Sequence, residues 1–246
     1  MFLNYNQGEE DITADLSKEI VIGVDVQRGQ GVSSFDIAHA DYKVYRDGEF
    51  VGSKRNGGPC NLETITFTPH GNSTHTECLG HISLSPYYVH DCIEDQFQLA
   101  RLVSLSPNAS DGSLDFSSMD WVRLKECSAL VIRSLPNDLS KKSRNYSGEN
   151  APFISTNDMK RIVECGIKHL IIDLPSVDPE WDGGALAAHH IFWNYPESPR
   201  TECSITEFAY IDSTVTDGRY ILKLNISPFV SDAAPSRPVL YPIIAR

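Results

Sequence analysis

No apolar run in this 246-residue chain approaches the ~18–20 residues that a membrane-spanning helix needs. The opening stretch, MFLNYNQGEEDITADL, has no basic n-region and no apolar h-region, so it carries no signal-peptide pattern and reads as a loose polar lead-in over residues 1–16. Positive charge is also scarce. Lys and Arg total 21 against 33 Asp and Glu, a formal net charge of −12. A field of that sign disfavours a phosphate backbone or an anionic membrane as the main partner, since both need a positive surface. The only basic cluster, Lys141-Lys142 with Arg144, reads as a solvated loop. The six cysteines (Cys60, Cys78, Cys92, Cys127, Cys165, Cys203) are widely spaced without a CxxC pair, which excludes a dense disulfide framework. A reduced, cytoplasmic setting is the expectation.

Several catalytic signatures are missing as well. There is no G-x-S-x-G nucleophile elbow, no G-x-x-x-x-G-K-[ST] phosphate loop and no H-E-x-x-H zinc helix. RGQGVSSF has two glycines but lacks the third of a dinucleotide fingerprint. No local pattern points to a cysteine nucleophile.

What is present is a strand-rich pattern. KEIVIGVDV (18–26) and NLETITFTPH (61–70) alternate in a strand-like way, and DYKVYRDGEFVGSK (41–54) reads as a hairpin around Asp47-Gly48. EDQFQLARLVSLSP fits a short helix or a strand equally. CSALVIRSL (127–135) is a buried-strand run. A helix capped by Thr156 or Asn157 follows, with an apolar stripe of Met159, Ile162, Val163 and Ile167; Gly166 lies near its end and HLIIDL is the next strand. Strand, helix, strand at this spacing predicts a parallel βαβ unit. Two further strands flank Asp217-Gly218. The expectation is α/β, one mixed-sheet domain over 1–246 with few helices.

Chemistry concentrates in PHGNSTHTECLGHI, residues 69–82, which holds three of the eight histidines. His75 and Glu77 stand at i and i+2, so on an extended segment they share a face. An imidazole with a carboxylate is a normal donor pair for Zn²⁺, Mn²⁺ or Fe²⁺. His70 precedes them across a flexible Gly71-Asn72-Ser73 segment, and His81 follows at a distance that keeps it near the ion but off it. Completing a site requires donors from elsewhere. His189-His190 in DGGALAAHHIFW and Glu207 in ITEFAYI are the candidates, although an amphipathic strand facing solvent would accommodate Glu207 equally.

Together these segments resemble the metal-dependent cyclase family, which includes bacterial kynurenine formamidase and isatin hydrolase. STHTECLGHI is similar to the family signature H-x-G-T-H-x-D-x-P-x-H, and LIIDLPSVDPEWDGGALAAHHIFW resembles its IDTPSLD…AHH segment, ahead of a strand carrying a glutamate. The landmarks keep their order from about residue 20 to residue 244. The resemblance implies a swivelling β/β/α fold, assembly as a homodimer or homotetramer, and one or two divalent ions, Zn or Mn. It implies His70, His75, Glu77, His189 and Glu207 as metal ligands, His189 being preferred to His190 by its place in the pair, and His81 as the catalytic proton shuttle. Departures from the family are Glu77 in place of aspartate, Leu79 in place of proline, and one extra residue between His70 and His75.

The implied activity is metal-activated water cleaving an amide C–N bond of a small molecule, an arylformamidase-like step that converts N-formylkynurenine to kynurenine and formate. Phe192, Trp193 and Tyr195 are candidates for an aromatic pocket, against the simpler reading that they are core. The rivals are a cyclic amide or imide hydrolase, or a dehydratase, on the same fold, and a non-catalytic metal-binding module.

Overall fold

The computed structural model describes residues 1–7, 10–93 and 95–244. The chain begins with an antiparallel ribbon of β1 (Phe2–Gln7) and β2 (Glu10–Asp15). This corrects the loose lead-in expected over 1–16. Ile12 and Ala14 alternate inward and are buried in one cluster with Leu99, Ile221 and Tyr241. An edge strand β3 (Ile20–Val21) follows. Two short antiparallel pairs come next, formed by β4 (Asp41–Val44), β5 (Arg46–Asp47), β6 (Phe50–Val51) and β7 (Glu63–Thr66). The hairpin expected over 41–54 exists only at its tip. Gly48, at φ 52°, turns the chain between β5 and β6, while β4 pairs with β7 instead.

The remaining elements are α1 (Pro69–Asn72), β8 (His75–Glu77), β9 (Gln98–Leu105), α2 (Trp121–Leu124) and β10 (Ala129–Ser134). They continue as α3 (Thr156–Glu164), β11 (His169–Ile172), α4 (Ala187–Trp193) and β12 (Ser204–Glu207). The chain closes with β13 (Gly218–Lys223), β14 (Ala233–Pro235) and β15 (Val239–Pro242). Nine strands form one mixed sheet in the order β14-β8-β12-β11-β10-β9-β13-β15-β3. Strands β9 to β12 run parallel, and the flanks are antiparallel.

Every residue of β10 and β11 is buried, as strands covered on both faces require. The unit β10-α3-β11 is the expected parallel crossover. Its cap is Ser155 rather than Thr156 or Asn157: the hydroxyl accepts from the Asp158 N–H at 3.1 Å. Met159, Ile162 and Ile167 bury the helix stripe, with α4 packed alongside, in a cluster that includes Leu130, Ile172 and Trp193. Within the segment with two readings, Gln98–Leu105 form the strand β9. The strands on either side of Asp217-Gly218 do not pair with each other: β12 lies between β11 and β8, and β13 between β9 and β15. The architecture is the mixed α/β sheet with few helices that the sequence predicts. All six cysteines are free, and among the described residues no helix is long and apolar enough to cross a membrane.

The solvated-loop reading of the basic cluster fails at Lys141. Its ammonium is buried, 2.7 Å from Asp173 Oδ2, and donates to the Ser134 carbonyl at 2.5 Å and hydroxyl at 2.8 Å. Asp173 also accepts the Ser134 N–H. Burial pushes the Asp173 carboxyl up, and the Lys141 charge opposes this. The pair ties the loop after β10 to the ends of β10 and β11. Removing one partner of such a pair strands a charge, so Lys141→Met is expected to cost ~3–5 kcal/mol in chemical denaturation. Lys141→Met/Asp173→Leu is expected to recover most of that loss.

Candidate functional site

The site is set by one strand register. In the antiparallel β8–β12 pair, His75 lies opposite Glu207 and Glu77 opposite Ile205. Opposed residues share a face, as do i and i+2, so His75, Glu77 and Glu207 project to the same side. The reverse face carries a hydroxyl chain: Thr76 Oγ1 lies 2.8 Å from Thr206 Oγ1 and donates to Ser236 Oγ at 2.8 Å. A one-residue slip would exchange the two faces, placing hydroxyls in the site and carboxylates in the wall behind it.

Three short segments add the remaining histidines. His70 sits on α1, whose first residue is Pro69, the position where a missing N–H costs nothing. His81 ends a 3₁₀ turn, Leu79–His81. A Cβ at Gly80 would collide with the Tyr87 carbonyl oxygen, so the turn can pack this closely only with glycine. His189 belongs to the first turn of α4, where Asp178 accepts from the Ala188 and His189 N–H groups at 2.7 and 3.1 Å. The same carboxylate lies 2.6 Å from His189 Nδ1. His190 turns away, its Nδ1 donating to the Tyr195 carbonyl at 3.0 Å. Leu186 before α4 (φ 43°) and Phe208 after Glu207 (φ 53°) hold left-handed backbone that costs ~1–3 kcal/mol each and is held by its surroundings.

All six residues singled out in the sequence come together. His189 Nε2 is 3.2 Å from Glu77 Oε1 and 3.8 Å from Glu207 Oε1. His70 Nδ1 is 3.1 Å from Glu77 Oε2, His75 Nε2 is 3.4 Å from Glu207 Oε2, and His81 Nδ1 is 3.8 Å from Glu77 Oε2. Two donor sets share Glu77: His70 with His81, and His75 with Glu207, each converging within 4.8 Å. The His75 ring is held from behind by the Ser73 carbonyl, 3.1 Å from Nδ1. Its Nε2 is buried with no hydrogen-bond partner, and so is Glu77 Oε2, which His70 approaches out of line. Two orphaned polar atoms facing each other's donors in a buried nest of imidazoles and carboxylates fit a divalent cation. Glu207, 4% exposed, is the buried carboxylate rather than a solvent-facing one.

Two further carboxylates were not legible in the sequence. Asp178 orients His189. Asp232, just before β14, lies 3.0 Å from His70 Nε2 and 3.6 Å from His81 Nδ1. Asp178 closes the LIIDLPSVD stretch already singled out, though its partner is set by the fold, and no local pattern marks Asp232.

Of the two readings of the aromatic residues after His189, the core one holds. Phe192 and Trp193 are wholly buried in the core, with Trp193 Nε1 donating to the Cys203 carbonyl, and Tyr195 packs at the edge of the same cluster. They lie one turn beyond His189 on the same helix face, the Trp193 ring 5.7 Å from the His189 ring, so they back the site from the core instead of lining the cleft. The cleft above the donors, about 490 Å³, has Phe35, Ile37, Pro175, Pro179 and Leu186 as its apolar lining, with Thr68, Ser176, Glu180 and Asp182 beside them.

Residues 11–179 match the family model described as "Putative cyclase". The chain belongs to the cyclase family. Among its relatives, a kynurenine formamidase of Bacillus mycoides is 28% identical over 197 residues, covering 79% of this chain and 87% of that protein. One of Bacillus anthracis is 27% identical over 201 residues with the same coverage. In solved structures, a potential metal-dependent hydrolase with cyclase activity superposes with a TM-score of 0.66 at 14% identity, covering 91% of this chain and 97% of that one. An isatin hydrolase bound to the product analogue thioisatinate gives 0.56 at 12%, covering 92% and 93%. These likenesses establish the fold. The matched family segment ends before His189, Glu207 and Asp232.

Four carboxylates crowd the histidines, and protonation balances them. Burial opposes charge on His189, but Asp178 and Glu77 outweigh it and raise its pKa to about 10. For His70, Asp232 and Glu77 overcome burial in the same way, again to about 10. Glu77 is held well below the carboxylate range: burial raises it, but His81, His189 and His70 prevail. A histidine raised from 6.5 in the unfolded chain contributes stability that is complete below about 6.5 and lost as pH rises through about 10. The chelator-treated, metal-free protein is therefore expected to lose stability between those values. Denaturant titrations across that range should show a shallower loss for His70→Gln.

Proposed function

We propose that the protein is a metal-dependent hydrolase that cleaves an amide C–N bond of a small molecule, with an aryl formamide such as N-formylkynurenine as substrate. The observation that carries this reading is the pair of buried, unpartnered atoms, His75 Nε2 and Glu77 Oε2, close to Glu207 and His189 beneath a cleft of mixed apolar and polar lining. In this reading His70, His75, Glu77, His189 and Glu207 hold one or two Zn²⁺ or Mn²⁺ ions, with Glu77 shared between the two donor sets. A divalent ion there lowers the pKa of water and polarises a carbonyl.

The chain's own groups do the rest. Ser73 and Asp178 fix the His75 and His189 rings, so their free nitrogens are presented without reorganisation. Water adds to the formyl carbon, the C–N bond breaks, and the leaving nitrogen must take up a proton. His81 is half-buried at the cleft, its ring 5.5 Å from His189, and serves as the acid that delivers it. Phe35, Ile37 and Leu186 offer an apolar seat for an aryl ring. The kynurenine formamidases among the relatives support this substrate class. Assembly as a homodimer or homotetramer and a cytoplasmic location belong to the same proposal.

Elemental analysis of the purified protein is expected to find stoichiometric zinc or manganese, lost in His75→Ala/Glu77→Ala. His81→Ala is expected to keep the metal while kcat on an aryl formamide falls by roughly 10²–10⁴. His190→Ala is expected to change neither. Turnover of cyclic amides but not formamides would move the substrate assignment to the lactam class. Full activity in His81→Ala would remove its assigned role, and no metal uptake from excess Zn²⁺ or Mn²⁺ would end the hydrolase reading.

A further inference from the structure

We propose that Asp232 is a positioning residue for this centre, holding His70 through Nε2 so that Nδ1 faces Glu77. The inference rests on the metal-centre reading above. Its basis is a pairing of opposite sense on the two sides of Glu77. Asp178 sits 2.6 Å from His189 Nδ1, leaving Nε2 at 3.2 Å from Glu77 Oε1. Asp232 sits 3.0 Å from His70 Nε2, leaving Nδ1 at 3.1 Å from Glu77 Oε2. Each carboxylate takes one ring nitrogen and thereby selects the tautomer whose other nitrogen faces the shared glutamate.

The placement of Asp232 comes from the sheet. Strand β14 pairs with β8, setting Ala233 opposite Glu77, and the Asp232 carbonyl accepts the Cys78 N–H at 3.0 Å. Asp232 is thus fastened to the segment that carries both Glu77 and His81. Its second oxygen accepts from Ser231 Oγ at 3.0 Å, which leaves Oδ2 for the histidine. Oδ2 lies 3.6 Å from His81 Nδ1, beyond hydrogen-bond length, so the shorter contact of the carboxylate is with His70. Asp232 lies outside the matched family segment.

The test compares wild type, Asp232→Ala and Asp232→Asn by chelator competition for Zn²⁺, visible spectra of the Co²⁺-loaded proteins, and kinetics at saturating metal. The Asp232 side chain is 36% exposed, so the variants are expected to fold, checked by an unchanged far-UV circular dichroism spectrum and a cooperative metal-free melt. The expected result for Asp232→Ala is Zn²⁺ affinity weakened roughly 10–100-fold, an unchanged Co²⁺ band shape, and lowered kcat with KM retained. Asp232→Asn keeps an oxygen that can accept from Nε2–H and should recover part of the affinity. Wild-type affinity in Asp232→Ala overturns the assignment and leaves the metal centre standing. A Co²⁺ band altered in intensity and position marks Asp232 as a ligand and overturns the positioning role. A wild type that binds no Zn²⁺ overturns both readings, and is recognised because it appears without any substitution.

Discussion

The pairing of His75 with Glu207 across β8 and β12 is the constraint on which the rest of the centre depends. It places two donors from segments 132 positions apart on one face, and the same alternation brings Glu77 beside them. Neither strand is long: β8 has three residues and β12 has four. Ladder hydrogen bonds over so few residues specify register weakly, and burial does not discriminate because both faces are covered. The Thr76, Thr206 and Ser236 hydroxyls supply the missing specificity, since any slip would leave them unpaired in the interior.

Burying carboxylates and imidazoles together is costly, and the fold offsets the cost with positioned hydrogen bonds. Glu207 Oε1 accepts the Val177 N–H, Asp178 accepts two main-chain N–H groups of α4, and Ser73 supplies a carbonyl to His75. What remains after this accounting is two unpartnered atoms, both pointing into the space the donors enclose. The pattern is that of a nest whose last partner is a cation. The buried Lys141–Asp173 pair serves the same end of the sheet at one remove, anchoring the loop beside the strand ends from which Pro175 and Ser176 line the cleft.

Local rules carried part of this into the sequence. The i, i+2 spacing of His75 and Glu77 needed only an extended backbone, and the βαβ unit announced itself through the stripe of α3. The family resemblance pointed to the distant His189 and Glu207, and the fold brings both beside His75 and Glu77. Glu207 had two readings because an amphipathic strand and a strand lining a polar site alternate alike, and only the sheet order decides between them. The 1–16 ribbon was missed because its inward set is two small steps, Ile12 and Ala14, in a polar stretch. Lys141 looked solvated because nothing near it in sequence reveals Asp173. Phe192 and Trp193 share the helix face of His189 but lie one turn deeper, where they pack in the core behind the histidine. Asp178 and Asp232 meet their histidines only through tertiary structure.

The central claim is that a divalent ion sits among these side chains. A crystal of the Zn²⁺- or Mn²⁺-loaded protein measured at the metal's absorption edge tests it directly. The account predicts an anomalous peak bounded by His75 Nε2, His189 Nε2, Glu77 and Glu207. No peak there, or a peak only at surface histidines such as His90, would contradict it.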